Sequence, residues 1–205
     1  MSNTVGSQEI IPKVLYARKN LILNLTQEEF DILVGSVIGD GYITKKGRVQ
    51  IEQGENQQEY LEWKFQKLRH VVSTSILCTK RKRYTGKITI SYRFWSKQYF
   101  RPWRNVFYPE GKKIIPKKGL IFSPLLLAVW YMDDGYLRKK DSIAISTDNF
   151  TRCDLKRICE ILERNYEVKP NIVKSGKLYF GKVATKKLVK IIQPFIISSM
   201  CYKLP

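Results

Sequence analysis

The same order of hydrophobic and polar segments occurs twice along this chain. A mostly apolar run, residues 30–38, leads into Asp-Gly-Tyr, and a second apolar run, residues 124–132, leads into the same three residue types. The acids of the two copies, Asp40 and Asp134, stand 94 residues apart, and a short basic turn follows each copy. A repeat at such a long period indicates one structural unit that is built twice in a single chain.

Each copy continues with the patterns of a strand, a helix, two further strands and a closing helix. Alternating apolar and polar residues predict the strands, and polar stretches with capping residues predict the helices. The segments of the first copy are Val49–Gln53, Asn56–Val72, Ile76–Arg83, Lys87–Phe94 and Lys97–Val106, and those of the second are Ile143–Thr147, Thr151–Tyr166, Asn171–Val173, Leu178–Gly181 and Thr185–Phe195. Both copies finish on Lys-aliphatic-Pro, at Lys113 and at Lys203.

This order of elements predicts an α+β fold made of two pseudo-symmetric αββαββα halves. Each half is expected to form an antiparallel sheet with its helices on one face. The predicted organisation is an N-terminal extension over 1–24, a first half over 25–110, a linker over 111–123 and a second half over 124–205. Because the duplication lies within one chain, it implies a pseudo-two-fold axis where the two apolar helices meet.

The two apolar segments have the start signals of helices and one face made for close packing. Thr26 begins a capping-box pattern, and Ser123 precedes a proline at the first helical position. Gly35 and Gly39 are four residues apart and therefore share a face of the first helix. Glycine inside a helix costs about 1 kcal/mol relative to alanine. Close approach of the second helix is the predicted compensation.

The charge of the chain predicts a polyanionic partner. The net charge is +19, from 37 Lys and Arg against 18 Asp and Glu, and such a surplus opposes compaction. Nucleic acid is favoured over a membrane surface, because the basic residues fall mainly in strand-like and loop-like stretches and not on an amphipathic helix. No apolar run is long enough to span a bilayer, and the first 24 residues lack the pattern of a secretory signal.

The cysteine and histidine content argues against a zinc site. One histidine and four cysteines without paired spacing do not form the usual ligand sets. The cysteines are expected to be reduced, mostly buried thiols of an intracellular protein.

Asp40 and Asp134 are the candidate catalytic residues. The helix dipole disfavours a carboxylate at a helix C-terminus by roughly 0.3–1 kcal/mol, and a two-fold axis adds repulsion between the two acids. A divalent cation removes both penalties, and hard oxygen ligands suit Mg²⁺. A single Asp-Gly is more simply explained as a turn. Two copies, each at the end of an apolar helix, favour metal-assisted phosphodiester hydrolysis.

Residues 33–41 and 127–135 resemble the two LAGLIDADG motifs of single-chain homing endonucleases, especially those of yeast mitochondrial introns. The resemblance extends over residues 25–205 and includes both Lys-aliphatic-Pro endings. It implies a monomer that cuts both strands of a long, asymmetric site in double-stranded DNA with two or more Mg²⁺ ions, for which Mn²⁺ can substitute. It implies neither membrane binding nor a protein partner. It also implies that the protein is located in an organelle or in a prokaryotic cell.

The resemblance also implies a set of site residues. The metal-binding catalytic acids are Asp40 and Asp134, the backbone carbonyl donors are Gly39 and Asp133, and the lysines that order water and oppose phosphate charge are Lys113 and Lys203. The second motif departs from the family pattern at Val129 and Asp133, where small residues are usual. Register with the first motif selects Asp134 as the metal ligand, and the Asp133 side chain is then expected to cap or hydrogen-bond locally.

In the fold that the resemblance implies, each sheet curves into a saddle along the major groove, which admits a β-ribbon. Side chains alternate, so that Val49 and Ile51, and later Ile143 and Ile145, point inward and their neighbours point to DNA. The basic run 80–83 is expected to bind phosphate. The predicted DNA-binding residues are Lys45, Lys46, Arg48, Gln50, Glu52, Lys80, Arg81, Lys82, Arg83, Lys87, Thr89, Ser91, Arg93, Arg138, Lys139, Lys140, Ser142, Ser146, Lys174 and Lys177.

Two other functions fit the same scaffold. An intron RNA maturase would keep the fold with or without DNA cleavage; intact acids and lysines in both halves argue against loss of cleavage and leave dual function open. A non-catalytic DNA-binding regulator would show no Mg²⁺-dependent cleavage of any target.

Overall fold

A computed structural model describes residues 11–17, 21–117 and 119–205. Residues 1–10 and 18–20 of the predicted extension, and Lys118 of the predicted linker, lie outside these ranges. The described part of the extension contains two antiparallel strands that the sequence did not predict, β1 (Val14–Tyr16) and β2 (Ile22–Asn24). Their inward residues, Leu15 and Leu23, are buried in the core.

Both halves have the predicted order of elements. The first half consists of α1 (Gln27–Ile38), β3 (Tyr42–Ile43), β4 (Val49–Gly54), α2 (Gln58–Lys67), β5 (Leu77–Lys82), β6 (Ile88–Trp95) and α3 (Arg101–Phe107). The second half consists of α4 (Pro124–Asp134), β7 (Gly135–Lys139), β8 (Ser142–Ile145), α5 (Arg152–Tyr166), β9 (Asn171–Ile172), β10 (Leu178–Phe180) and α6 (Lys182–Ile192). The sheets are antiparallel and have matching orders, β3-β4-β6-β5 and β7-β8-β10-β9. The predicted α+β fold with two pseudo-symmetric halves is confirmed.

Tertiary hydrogen bonds explain where the predicted helix bounds were wrong. The segment expected to begin a helix at Lys97 becomes helical only at Arg101, because the Lys97 amide donates to the Val71 carbonyl at 2.7 Å and the Phe100 amide to the Gly47 carbonyl at 2.9 Å. These bonds hold the intervening residues out of a helix. α2 is also shorter than predicted, and a 3-10 turn, Glu55–Gln57, precedes it.

Where α1 and α4 are in close contact, glycines of the first motif lie opposite larger residues of the second. A Cβ added to Gly35 would lie 2.9 Å from the Val129 Cβ, and one added to Gly39 would lie 2.6 Å from the Asp133 Cβ. Val129 and Asp133 stand 94 residues after the two glycines, so they are the equivalent positions of the other half. The second motif can carry larger residues at these positions because the first motif leaves space opposite them.

We expect Gly39→Ala to lower the free energy of unfolding by about 1–3 kcal/mol, the usual cost of overpacking a well-packed core. The matched control is Gly54→Ala, because a Cβ at Gly54 would meet nothing within 4 Å and the residue has an ordinary extended backbone. Urea unfolding of both variants checks the difference. Equal stabilities would contradict close packing of the central helices.

Among the described residues, no helix is both long and apolar enough to cross a membrane. The expectation of mostly buried cysteines is wrong: Cys78, Cys153 and Cys201 are exposed, and Cys159 is half-buried. Cys153 shows the reason, since it lies in the first turn of α5 on the face opposite the buried residues Leu155 and Ile158.

Candidate active site at the central helix interface

The two candidate catalytic acids lie where the central helices end. Asp40 follows the α1 cap residue and is exposed, whereas Asp134 is the last residue of α4 and is half-buried. Different side chains hold their carboxylates. Asp40 accepts a long hydrogen bond of 3.4 Å from Gln53 Nε2 of β4, and Asp134 accepts one of 3.2 Å from Trp130 Nε1 one helical turn earlier.

The acids are close enough to affect the ionisation of Asp134. Burial, followed by the negative charges of Asp40 and Asp133, raises the pKa of the Asp134 carboxyl to about 7, while the charge of Lys113 and the hydrogen bond from Trp130 oppose the increase. Desolvation and like charge both disfavour the ionised form. A cation at this point would relieve the repulsion.

Lys113 and Lys203 have matching positions in the two halves. Lys113 Nζ donates to the carbonyls of Gly39 at 2.7 Å and Gly41 at 3.0 Å. Lys203 Nζ donates to the carbonyl of Asp133 at 3.1 Å and to that of the residue before it. Burial lowers the pKa of both ammonium groups, and the nearby acids oppose this shift. Each predicted carbonyl donor thus already accepts a hydrogen bond from the predicted lysine of its own half.

The Asp133 side chain points into the helix interface. Its Oδ1 accepts hydrogen bonds from Lys64 Nζ at 2.7 Å and from Gln53 Nε2 at 3.0 Å. Its Oδ2 lies against Gly39 and has no hydrogen-bond partner within the part of the chain that the structure describes. Burial raises the pKa of the Asp133 carboxyl, and the charge of Lys64 opposes the shift. The expectation of a local cap is wrong, because both partners belong to the other half.

Sequence reasoning missed Lys64 and Gln53, although the chain contains a signal for the first. Tyr60, Leu61 and Phe65 are buried positions of α2, and Lys64 lies among them on the same helical stripe. A lysine at a core position of an amphipathic helix requires a buried partner. The partner is 69 residues away in sequence, so the pattern of α2 alone could not identify it.

The donor chemistry at the helix ends fits a hard divalent cation. Within residues 11–17, 21–117 and 119–205, no group of three Asp, Glu, His or Cys side chains is arranged to hold a metal. Asp40 and Asp134 would therefore supply the side-chain oxygens, and backbone carbonyls, water and a substrate phosphate would supply the rest. Mg²⁺ characteristically binds in this way, through one or two carboxylates, several waters and phosphate.

The outward face of the first sheet carries a polar network around Glu52. Its carboxylate forms ion pairs with Arg81 at 2.9 Å and Arg93 at 3.8 Å and accepts a hydrogen bond from Ser91 at 2.6 Å. Strand register places these residues on one face. Trp95 lies half-buried on this face with the Arg93 guanidinium 4.8 Å from its ring centroid. The network orients two arginines before any partner binds.

Strand alternation divides the basic run 80–83, which therefore does not form one cluster. Arg81 pairs with Thr89 and shares the face of Glu52, whereas Lys80 and Lys82 point to the opposite side of β5. Phosphate binding by this run stays a prediction, with Arg81 on the opposite face of the strand from Lys80 and Lys82. The predicted basic turns are at the surface: Lys45, Lys46, Arg48, Arg83, Lys87, Arg138, Lys139, Lys140 and Lys174 are exposed, and Lys177 is half-buried.

The second sheet differs from its prediction. Ser142 is 2% exposed, so its predicted contact with DNA is wrong. β8 is a central strand, and its short side chains lie below those of its neighbours; Tyr136 and Tyr179 flank Ala144 on this face. The Arg138 guanidinium lies 4.7 Å from the Tyr179 ring centroid. The two tyrosines, which were not among the predicted DNA-binding residues, are half-buried, as is Ser146.

Two joined αββαββα halves, with acids and lysines gathered at the ends of their central helices, are the architecture of a LAGLIDADG protein with both motifs in one chain. The model of the LAGLIDADG DNA endonuclease family matches residues 30–190. The chain belongs to this family, and the predicted resemblance is confirmed. The solved structure of the homing endonuclease I-WcaI bound to its DNA recognition sequence matches with a TM-score of 0.78 and 22% identity, over 88% of this chain and 87% of that one. That likeness shows the shared fold.

The chain is also similar to two curated yeast proteins that are both named cytochrome b mRNA maturase bI2. The protein from Debaryomyces hansenii is 30% identical over an alignment length of 223, and the alignment covers 98% of this chain and 83% of that protein. The protein from Saccharomyces cerevisiae is 30% identical over an alignment length of 212, and the alignment covers 90% of this chain. This chain spans about half of the S. cerevisiae protein, 49% of its length.

Proposed function

We propose that this protein is a site-specific endonuclease that cuts both strands of DNA with divalent metal ions. The observation that carries the proposal is the meeting of Asp40 and Asp134 at the ends of the central helices, with the half-buried Lys113 beside the first and the buried Lys203 beside the second. Membership of a DNA endonuclease family supports the reaction class. The basic sheet faces, and the DNA bound by I-WcaI, support double-stranded DNA as the substrate.

In this proposal, Asp40 and Asp134 hold the divalent ions, with Mg²⁺ as the preferred ion and Mn²⁺ as a substitute. The ions supply a Lewis acid for the phosphate oxygens and a more acidic water. Lys113 and Lys203 oppose negative charge as it increases on the phosphate, while their hydrogen bonds to the helix-end carbonyls fix their positions. Because one chain supplies both acids, we propose a monomer. The similarity to the two yeast proteins favours an organellar location.

Cleavage of a randomised DNA library tests the proposal. With Mg²⁺ we expect cuts within one recurring sequence, and with EDTA we expect none. Sequencing of the cut ends identifies the site and shows whether both strands are cut. A library that stays intact in Mg²⁺ and in Mn²⁺ while the protein binds DNA would favour a non-catalytic regulator.

We expect the affinity for duplex DNA to fall steeply with salt. Neutralising six to ten phosphates releases counterions, and the affinity then falls about 10³- to 10⁵-fold between roughly 50 and 200 mM salt. Lys45→Gln with Lys46→Gln should reduce the slope by about 1 to 2, because each phosphate contact contributes about 0.9. Lys156→Gln, on the exposed side of α5, is the matched control and should leave the slope unchanged. Fluorescence anisotropy over a salt series gives both slopes, and a flat series would contradict the charge argument.

A second candidate function is assistance in the splicing of an intron RNA. The observation that favours it is the 30% identity, over 98% of this chain, with a protein named cytochrome b mRNA maturase bI2. Splicing of the host intron RNA with and without the protein tests this function. Asp40→Asn separates the two activities, since it should stop DNA cleavage and leave RNA splicing unchanged.

A further inference from the structure

A fully buried ion pair crosses the interface between the halves. Lys64 Nζ of α2 lies 2.7 Å from Asp133 Oδ1 of α4, and both side chains are 0% exposed. Removing two charges from water costs several kcal/mol for each ion, so a buried pair is a weak explanation of stability. Its position beside Asp134 suggests another purpose.

The second half has no equivalent of this pair at the corresponding positions, which the structure describes. Lys64 is the seventh residue of α2, and the seventh residue of α5 is Ile158, which is fully buried. The counterpart of Asp133 in the first half is Gly39. The second half therefore contributes an additional acid to the centre, and the first half contributes the cation that neutralises it.

Asp133 is connected to both candidate metal ligands, Asp40 and Asp134. Gln53 Nε2 donates to Asp133 Oδ1 at 3.0 Å and also to Asp40 Oδ2 at 3.4 Å. Asp133 directly precedes Asp134 in the chain. A displaced Asp133 side chain would therefore disturb Asp40 through the amide and Asp134 through the backbone.

The Lys64 ammonium group is held in place on several sides. It lies 4.2 Å from the ring centroid of Tyr60, and the Tyr60 hydroxyl donates to the Val129 carbonyl of α4 at 3.1 Å. Only one of the two Asp133 oxygens is engaged; Oδ2 has no partner within the described residues. Without the ammonium group, a buried carboxylate with a free oxygen would attract another cation.

We propose that Lys64 is a positioning residue that occupies Asp133, so that divalent ions bind at Asp40 and Asp134 and not at the third acid. The catalytic consequence rests on the proposed endonuclease function. The neutralisation of Asp133 does not, and DNA-free protein can test it.

The test compares full-length wild type, Lys64→Met, and Lys64→Met with Asp133→Asn, with Mn²⁺ as the probe. The apparent Mn²⁺ affinity is measured without DNA from the increase in the thermal midpoint, since a bound ion stabilises the folded state by mass action. We expect about tenfold tighter Mn²⁺ binding in Lys64→Met and a return to the wild-type value in the double variant. Lys64→Gln, which keeps a hydrogen-bond donor but loses the charge, takes the place of Lys64→Met if that variant does not fold.

Equal Mn²⁺ affinities in wild type and Lys64→Met, or in wild type and Lys64→Gln where that variant is used, would overturn the proposal. Lys64 would then have only a structural role. Where wild type cuts DNA, Lys64→Met should cut at least tenfold more slowly at a temperature where it is fully folded, and the double variant should recover to within about threefold. If wild type cuts no DNA, the proposed function is wrong. The Mn²⁺ comparison still shows whether Lys64 keeps divalent ions away from Asp133.

Discussion

Asp40→Asn and Asp134→Asn should each abolish double-strand cleavage in Mg²⁺ while DNA binding is retained. Asparagine keeps the shape of the side chain and removes the charge that a hard cation requires. Removing a triad or metal-ligand group from other hydrolases commonly lowers the rate by several powers of ten, and we expect a loss of at least about 10³-fold. Binding should stay equal or become tighter, because each variant removes a negative charge near the phosphates. Cleavage of a labelled duplex and anisotropy on the same duplex measure the two effects.

Glu55→Gln is a suitable control for these variants, since it removes an exposed acid of the first half that lies outside the centre. It should cut at the wild-type rate. Normal cleavage by either aspartate variant would show that the catalytic acids have been assigned wrongly.

Asp134→Asn should also stabilise the metal-free protein, in a pH-dependent way. Folding raises the pKa of Asp134 from its usual value of 3.8 to about 7. Because the folded state disfavours the ionised form, wild type loses stability as the pH rises through this interval, and the loss is complete above about 7. The asparagine variant does not ionise, so its advantage in thermal midpoint should increase between pH 4 and 7 and then level off. A constant advantage would contradict the burial and repulsion inferred for Asp134.

Lys113→Met and Lys203→Met should each slow cleavage by about 10² to 10³-fold, the usual effect of removing one preorganised group that stabilises charge in a transition state. Each lysine is fixed by two backbone carbonyls at its helix end. Methionine retains the apolar stem but not the ammonium group. Single-turnover cleavage at saturating protein separates this effect from weaker binding.

Lys112→Met is the matched control for Lys113, because the two residues are neighbours and Lys112 is exposed. Its effect should be confined to a modest loss of DNA affinity. If Lys112→Met slowed the single-turnover rate as much as Lys113→Met, general charge would explain the effect, and the specific contacts of Lys113 would not.

Several features of the molecule could be predicted because they depend on local pattern. Thr26 forms the predicted capping box, and Val49 and Ile51 face the core as their alternation indicated. Residues a few positions apart determine each of these features. The repeat then extended local patterns into an architecture, since similar segments fold into similar halves.

One wrong prediction, the contact of Ser142 with DNA, depends on neighbours that are distant in sequence. Ser142 alternates like an exposed residue, yet it is 2% exposed in β8, which lies between β7 and β10. Charge and alternation along the chain do not determine which strand is central or which face lies outward.

By itself, the sequence determined the duplicated fold, the central helices with their glycines, and the acids and lysines that are candidates for chemistry. Only the tertiary structure decided how the halves differ where they meet. Asp133 fits beside Gly39 and pairs with Lys64 because two helices from different halves pack in one register, and Gln53 then connects that pair to Asp40. The contacts of Asp133 with Lys64, Gln53 and Gly39 join residues 69, 80 and 94 positions apart. Long-range packing creates them, and no local pattern specifies them.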